Sequence, residues 1–120
     1  DWVSTSFKSD IDAINNRLAY KDISSSIDVG DTGCTAAGYA ENGCVVVRIK
    51  YPAGMSGEKR MAINTGYDPR FTVSGSVNCN ASDYGKVTGA WIEGGVIYLY
   101  AKEILDADAF ISFTYPLKSS

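Results

Sequence analysis

Apolar residues change their spacing once along this chain, near residue 20. Before that point Val3, Phe7, Ile11, Ile14 and Leu18 recur every three or four positions, the period of one helical stripe. After it, short runs alternate apolar and polar and are broken by Gly, Pro, Asn and Asp, as in strands and turns. The spacing predicts a helix over residues 4–19, capped by Ser4 or Thr5. Asp10 and Asp12 sit in its first half and Arg17 near its end, matching the helix dipole. Read as heptads, Ile11 falls at a and Ile14 at d, which favours three or four strands over two; Phe7 at d and Leu18 at a blur that preference. A helix this short is marginal alone in water and needs a partner. The stripe serves equally to self-associate or to pack on the chain's own sheet.

The remainder divides into strands. Residues 23–29 (ISSSIDV) are apolar at both ends and read as an edge strand, followed by the Gly30-Asp31-Thr32-Gly33 turn. Asn42-Gly43 is the strongest hairpin signal in the chain. It leads into residues 44–51, where Val45, Val47, Ile49 and Tyr51 share one face and Arg48 and Lys50 the other. Pro52-Ala53-Gly54 opens a loop running to about Lys59, and Met61 and Ile63 begin another strand. After the break at residues 65–69, Phe71, Val73 and Val77 alternate with Thr72, Ser74 and Ser76 as one one-sided strand. Residues 78–85 are polar and turn-rich. Residues 87–93, carrying Trp91, pair with 96–100 across Glu93-Gly94-Gly95. In the last strand, 109–117, Ile111, Phe113, Tyr115 and Leu117 share a face. About seven or eight strands at this spacing predict a mainly β fold, an antiparallel β-sandwich or jelly-roll-like head, preceded by a short N-terminal coiled-coil helix. The expected division is residues 1–20 as an oligomerising stem and 21–120 as the head.

Composition narrows the chemistry. The 120 residues contain no His, so no Ser-His-Asp or Cys-His nucleophile is available within the chain. There is no CxxC and no phosphate-binding glycine loop; no metal site and no cofactor is expected. Asp28 and Asp31, or Asp106 and Asp108, lack the ligand spacing of an EF-hand and read as turn carboxylates. The net charge of −3 comes with scattered Lys and Arg, which argues against nucleic acid as a partner. No apolar run is long enough for a membrane span. The chain opens on Asp1 with no initiating Met and no signal peptide, the pattern of a fragment or processed product. Of the three cysteines, Cys34 and Cys44 would close a small loop in an oxidising space; the alternative is that all are reduced. Glu93 and Glu103 are the carboxylates a glycan hydrolase would use, a weak signal in a chain with 14 acids.

What remains is a surface with 8 Tyr and 2 Trp. Ile97 and Leu99 are the expected core positions of their strand, which turns Tyr98 and Tyr100 outward. Outward aromatics suit sugar rings or protein partners, or form a cross-strand ladder that steadies the sheet. Candidate ligand contacts are Tyr67, Asp68, Arg70, Tyr84, Trp91 and Glu93, with Trp91 equally placed to be core.

Several stretches together resemble the C-terminal head domains of tailed-phage tail fibres and receptor-binding proteins, the type found in phages and prophages of Gram-positive bacteria. SDIDAINNRL resembles the coiled-coil lead and NGCVVVRIKY the first long head strand. NTGYDPRFTVSGSV is similar to the segment in which an aromatic and a Pro precede a strand. GAWIEGGVIYLYAKE and DADAFISFTYPL resemble the closing hairpin and terminal strand; the likeness spans most of residues 9–117. The resemblance implies a non-enzymatic homotrimer with helices bundled on the threefold axis. Its heads would bind a bacterial cell-surface glycan or protein receptor, at the tail tip of a virion. The alternative is a secreted or cell-surface bacterial module, carbohydrate-binding or pilin-like, whose leading helix packs on its own sheet; this reading predicts a Cys34–Cys44 disulfide.

Overall fold

The computed structural model describes residues 19–64 and 66–117. The expected helix and its seam, Val3, Phe7, Ile11, Ile14 and Leu18, lie outside the described residues. The described part is mainly β, two antiparallel five-stranded sheets facing each other as a sandwich. Its strands are β1 (Lys21–Asp22), β2 (Ile27–Asp28), β3 (Thr35–Glu41), β4 (Cys44–Tyr51), β5 (Gly57–Ile63), β6 (Val73–Ser74), β7 (Ser76–Asn78), β8 (Val87–Glu93), β9 (Val96–Ala101) and β10 (Ala109–Pro116). The first sheet runs β1-β3-β4-β10-β7 and the second β2-β5-β9-β8-β6. The pairs β4/β10, β5/β9 and β6/β8 nest inside one another, so the chain folds back along its own path.

Alternation decides which residues are inside. Val45, Val47, Ile49 and Tyr51 on β4 face Ile111, Phe113 and Tyr115 on β10, and all seven are buried. Ile97 and Leu99 are buried beside Ile92 and Met61 of the second sheet. Burial carries the Tyr51 phenol up to about 12, and the nearby Cys34 adds to the shift. Tyr51 keeps its hydroxyl satisfied by donating to Gly57 O at 2.9 Å.

Both hairpins form as their turn residues require. Asn42 and Gly43 take φ of 54° and 75° between Glu41 and Cys44, the left-handed pair of a two-residue turn. Gly94-Gly95 joins Glu93 to Val96 in a second two-residue turn, with Gly94 alone at a positive φ of 59°.

Several elements differ from the sequence reading, two of them where the chain changes sheets. Of residues 23–29 only Ile27–Asp28 is a strand, β2 at the edge of the second sheet. Ser24–Ser26 form a 3-10 turn that carries the chain from β1 to β2, with Ile23 and Ile27 both buried. The serines supply hydrogen bonds where the ladder stops: Gly38 N donates to Ser24 Oγ at 3.1 Å and Asn64 N to Ser26 O at 3.0 Å. The strand expected over residues 71–77 is two strands, β6 and β7, in different sheets. Gly75 is the crossing point, and a Cβ there would lie 2.7 Å from Phe113 Cε1 and 2.8 Å from Ile111 Cγ2. Finally, β5 starts at Gly57, not near Met61. Its first half, GEKR, carries no apolar signal because Glu58 and Arg60 face outward.

The loops at one end are tied together by Asp83. Its side chain is fully buried and accepts from Asp106 N at 2.8 Å, Ala107 N at 3.0 Å and Lys86 Nζ at 3.0 Å. The Asp106 amide, then Lys86 and the Ala107 amide, hold this carboxyl below its usual value against the opposing effect of burial. The hydrogen bond from Lys86 to Asp83 raises the Lys86 ammonium in return.

Candidate functional site

The outer face of the second sheet is built from rows of directly opposed residues. One row is Arg60 on β5, Tyr98 on β9, Trp91 on β8 and Ser74 on β6. Its members touch. The Trp91 and Tyr98 rings stack with centroids 5.1 Å apart and planes 20° apart. The Arg60 guanidinium carbon lies 5.4 Å from the Tyr98 centroid on a neighbouring strand. The 5.1 Å separation is close to the spacing of adjacent strands, so the side chains stand as a ridge across the sheet. Ser74 at the end of the row is too short to cover the indole.

Two grooves flank this ridge. On one side Glu58, Tyr100 and Gly89 form the next row. Gly89 has a specific reason to lack a side chain, since a Cβ would lie 2.8 Å from Trp91 Cζ3. Thr88 is the extra residue of a register shift between Val87 and Gly89. The groove here, of about 330 Å³, is lined by Glu58, Thr88, Gly89, Trp91, Tyr98 and Tyr100. On the other side the row is Asp28, Ala62, Val96 and Glu93. The second groove, of about 400 Å³, lies over Ala62 and Val96 and is bounded by Asp28, Gly30, Arg60 and Tyr98. Asp28 is held at its rim by the Gly30 N–H, 2.9 Å from Oδ1. Arg60 donates through Nε to Glu58 Oε1 at 3.1 Å.

The predicted site residues separate into three places. Trp91 and Glu93 share the outer face of β8, and Trp91 is on the ridge rather than in the core. Tyr67, Asp68 and Arg70 belong to the loop between β5 and β6. Tyr67 packs against the core and its carbonyl accepts the Tyr115 hydroxyl at 2.6 Å, while Asp68 is buried. Burial, and to a lesser degree the Asp68 charge, push the Tyr115 phenol up. Arg70 lines a separate cavity of about 330 Å³ with Pro69, Phe71, Val73, Tyr115, Pro116 and Leu117. Tyr84 is 73% exposed just before β8, at the opposite end of that strand from Glu93. The six residues therefore do not form one site. Arg60, Tyr98, Gly89, Glu58 and Asp28 complete the ridge and grooves. Alternation had already turned Tyr98 outward, and a Gly two residues before a Trp in a strand is a readable signal of close approach.

Other candidate chemistry resolves on geometry. Cys34 precedes Thr35, which pairs with Lys50, while Cys44 is at the far end of the same strand. Six residues of strand, roughly 20 Å, is far beyond disulfide reach. Cys34 is buried, Cys44 exposed and Cys79 half-buried, and all three are free thiols. Burial raises the Cys34 thiol. Glu93 and Glu103 flank opposite ends of β9, with roughly 17 Å of strand between those ends, wider than a glycosidase carboxylate pair. Asp108 accepts from Ala53 N at 2.9 Å and lies 3.9 Å from Lys50 Nζ. Among the described residues no three Cys, Asp or Glu side chains gather as a metal site, and no helix is long and apolar enough to cross a membrane.

Comparison of the chain with family models, with curated proteins and with solved structures found no match.

Proposed function

We propose that this chain is the non-enzymatic head of a phage tail fibre, which trimerises through its N-terminal seam and attaches a virion to a saccharide on the bacterial surface. The observation that carries this reading is the ridge of Arg60, Tyr98 and Trp91 between two grooves. Exposed ring edges, a partly uncovered indole and flanking carboxylates match the apolar C–H faces and hydroxyl donors of a sugar. A second observation supports the division of labour. Tyr20 stacks on Tyr39, with centroids 5.7 Å apart, on the outer face of the first sheet. Tyr20 and the ridge are then on opposite faces of the sandwich, and stems bundled on the Tyr20 side would leave the ridges free. Three weak sites on one particle would act together through avidity.

Two measurements test the proposal. Sedimentation of the full chain at micromolar concentration is expected to give three times the chain mass. Ile11→Asp or Ile14→Asp is expected to reduce it to one, with the β circular dichroism signal kept. A monomeric unmodified chain would sink the trimer. Binding to intact bacterial cells is expected to fall on Trp91→Ala and to persist in Phe110→Ala on the opposite face. The ridge suits equally a secreted or cell-surface carbohydrate-binding module, and a monomeric chain with Trp91-dependent glycan binding would favour that reading. That reading, carbohydrate-binding or pilin-like, loses its predicted disulfide to the separation of Cys34 and Cys44.

A further inference from the structure

The groove over Ala62 and Val96 has a chemistry that selects among saccharides. Asp28, Ala62, Val96 and Glu93 oppose one another on β2, β5, β9 and β8, a row of three inter-strand steps. At the usual strand spacing that is about 14 Å, longer than a single pyranose ring. The floor is small and apolar, one wall is formed by Arg60 and Tyr98 of the ridge, Asp28 stands at one rim, and Glu93 continues the row past Val96. A groove crossing an open sheet face has no end wall to demand a chain terminus.

Carboxylates at these ends accept hydrogen bonds and donate none, so a ligand must bring the donors: hydroxyls, amide N–H groups or ammonium groups. The cation of these rows, Arg60, is already engaged. It pairs with Glu58 at 3.1 Å and lies over Tyr98. An anionic sugar would meet Asp28, Glu58 and Glu93 with no uncommitted cation in the same rows to compensate.

We infer that this groove takes an internal stretch of a neutral or amino-sugar chain, in preference to an anionic glycan or a single terminal sugar. Asp28 at its rim and Glu93, next along the row beyond Val96, accept from hydroxyl or amide groups, and Tyr98 lines its apolar side. The inference rests on the saccharide reading above and narrows it to a ligand class.

The test applies the full chain to a printed array of defined oligosaccharides, from monosaccharides to hexasaccharides, in neutral, amino, uronate and phosphorylated forms. Hits are then titrated by calorimetry. Binding is expected from neutral and amino chains, with affinity rising from mono- to trisaccharide and then levelling. Asp28→Asn and Glu93→Gln, both at exposed positions, are each expected to weaken it about tenfold. Ala62→Gln, which fills the floor from an exposed position, is expected to abolish it without loss of fold. Hits confined to uronate or phosphorylated chains, or affinity independent of length, would overturn the inference; if those hits vanished in Trp91→Ala, the saccharide reading would stand. Full affinity in both carboxylate variants would also overturn it. Absence of any hit, or hits that survive both Trp91→Ala and Ala62→Gln, would overturn the saccharide reading together with the inference.

Discussion

Across the first sheet the outward rows are Tyr39–Val46–Thr114, Ala37–Arg48–Ser112–Ser76 and Thr35–Lys50–Phe110–Asn78, with Tyr20 stacked on Tyr39 and Phe110 exposed. Across the second they are Arg60–Tyr98–Trp91–Ser74 and Asp28–Ala62–Val96–Glu93, a tall row beside a low one. Both inward faces are apolar and buried to a few per cent, Val, Ile and aromatic side chains on β4 and β10 and Ile, Leu and Met on β5, β8 and β9. A buried face is constrained by packing and comes out similar in both sheets. An exposed face is not, and the two exteriors differ: only the second sheet carries the Arg60–Tyr98–Trp91 ridge between two grooves, the face proposed above for recognition.

The contrast between inside and outside is tested most strongly within one strand. Phe113 and Phe110 both lie on β10, the first 1% and the second 51% exposed. Phe113→Ala is expected to cost about 3–5 kcal/mol in urea unfolding and Phe110→Ala less than about 0.5 kcal/mol. Comparable losses would mean that Phe110 is covered in solution. The crossing between the sheets comes next. Gly75→Ala forces a methyl against Phe113 and Ile111 and is expected to cost roughly 1–3 kcal/mol by the same measurement.

Acid unfolding separates the Asp83 end of the sandwich from the rest. A carboxyl held below its usual value of 3.8 contributes stability above that pH, lost as the pH falls through the lowered folded-state value. Asp83→Asn is expected to lower Tm at neutral pH and to flatten the decline of Tm below pH 3.8. An unchanged acid limb would show that other carboxylates govern it. On the ridge, a double-mutant cycle of Arg60→Ala with Tyr98→Ala is expected to give about 0.5–1 kcal/mol of coupling. The smallest effect is chemical. Cys44 is expected to react with a thiol reagent in the folded chain while buried Cys34 waits for unfolding, and neither modification rate should depend on a reductant.

The strands β4, β9 and β10 were legible almost to the residue because each alternates strictly beside an unambiguous turn, and β8 was legible from its Gly94-Gly95 hairpin despite the register shift at Thr88. β3 was not read as a strand: TAAGYAE has no apolar row, and Gly38 is buried under Ile23 and Ile27 for lack of a side chain. The split at Gly75 was invisible because Val73 and Val77 keep the same alternation on both sides of the crossing. Of the site, Trp91 and Glu93 were legible as outward residues of one strand. Arg60 was lost in a stretch read as loop.

Periodicity is a local property, and it determined by itself the β character of residues 21–117, the two hairpin turns and most of the core. The direction in which Tyr98 points belongs to the same local information. Which residue stands beside Tyr98 does not. Arg60 lies 38 positions before it and Trp91 seven, and only the register of β5, β9 and β8 brings them into one row. Register follows from cooperative packing of the two inward faces, where a slip of one residue would turn every core side chain outward. The ridge and its grooves are therefore a product of the tertiary structure, built by the core on the side of the sheet that the core does not touch.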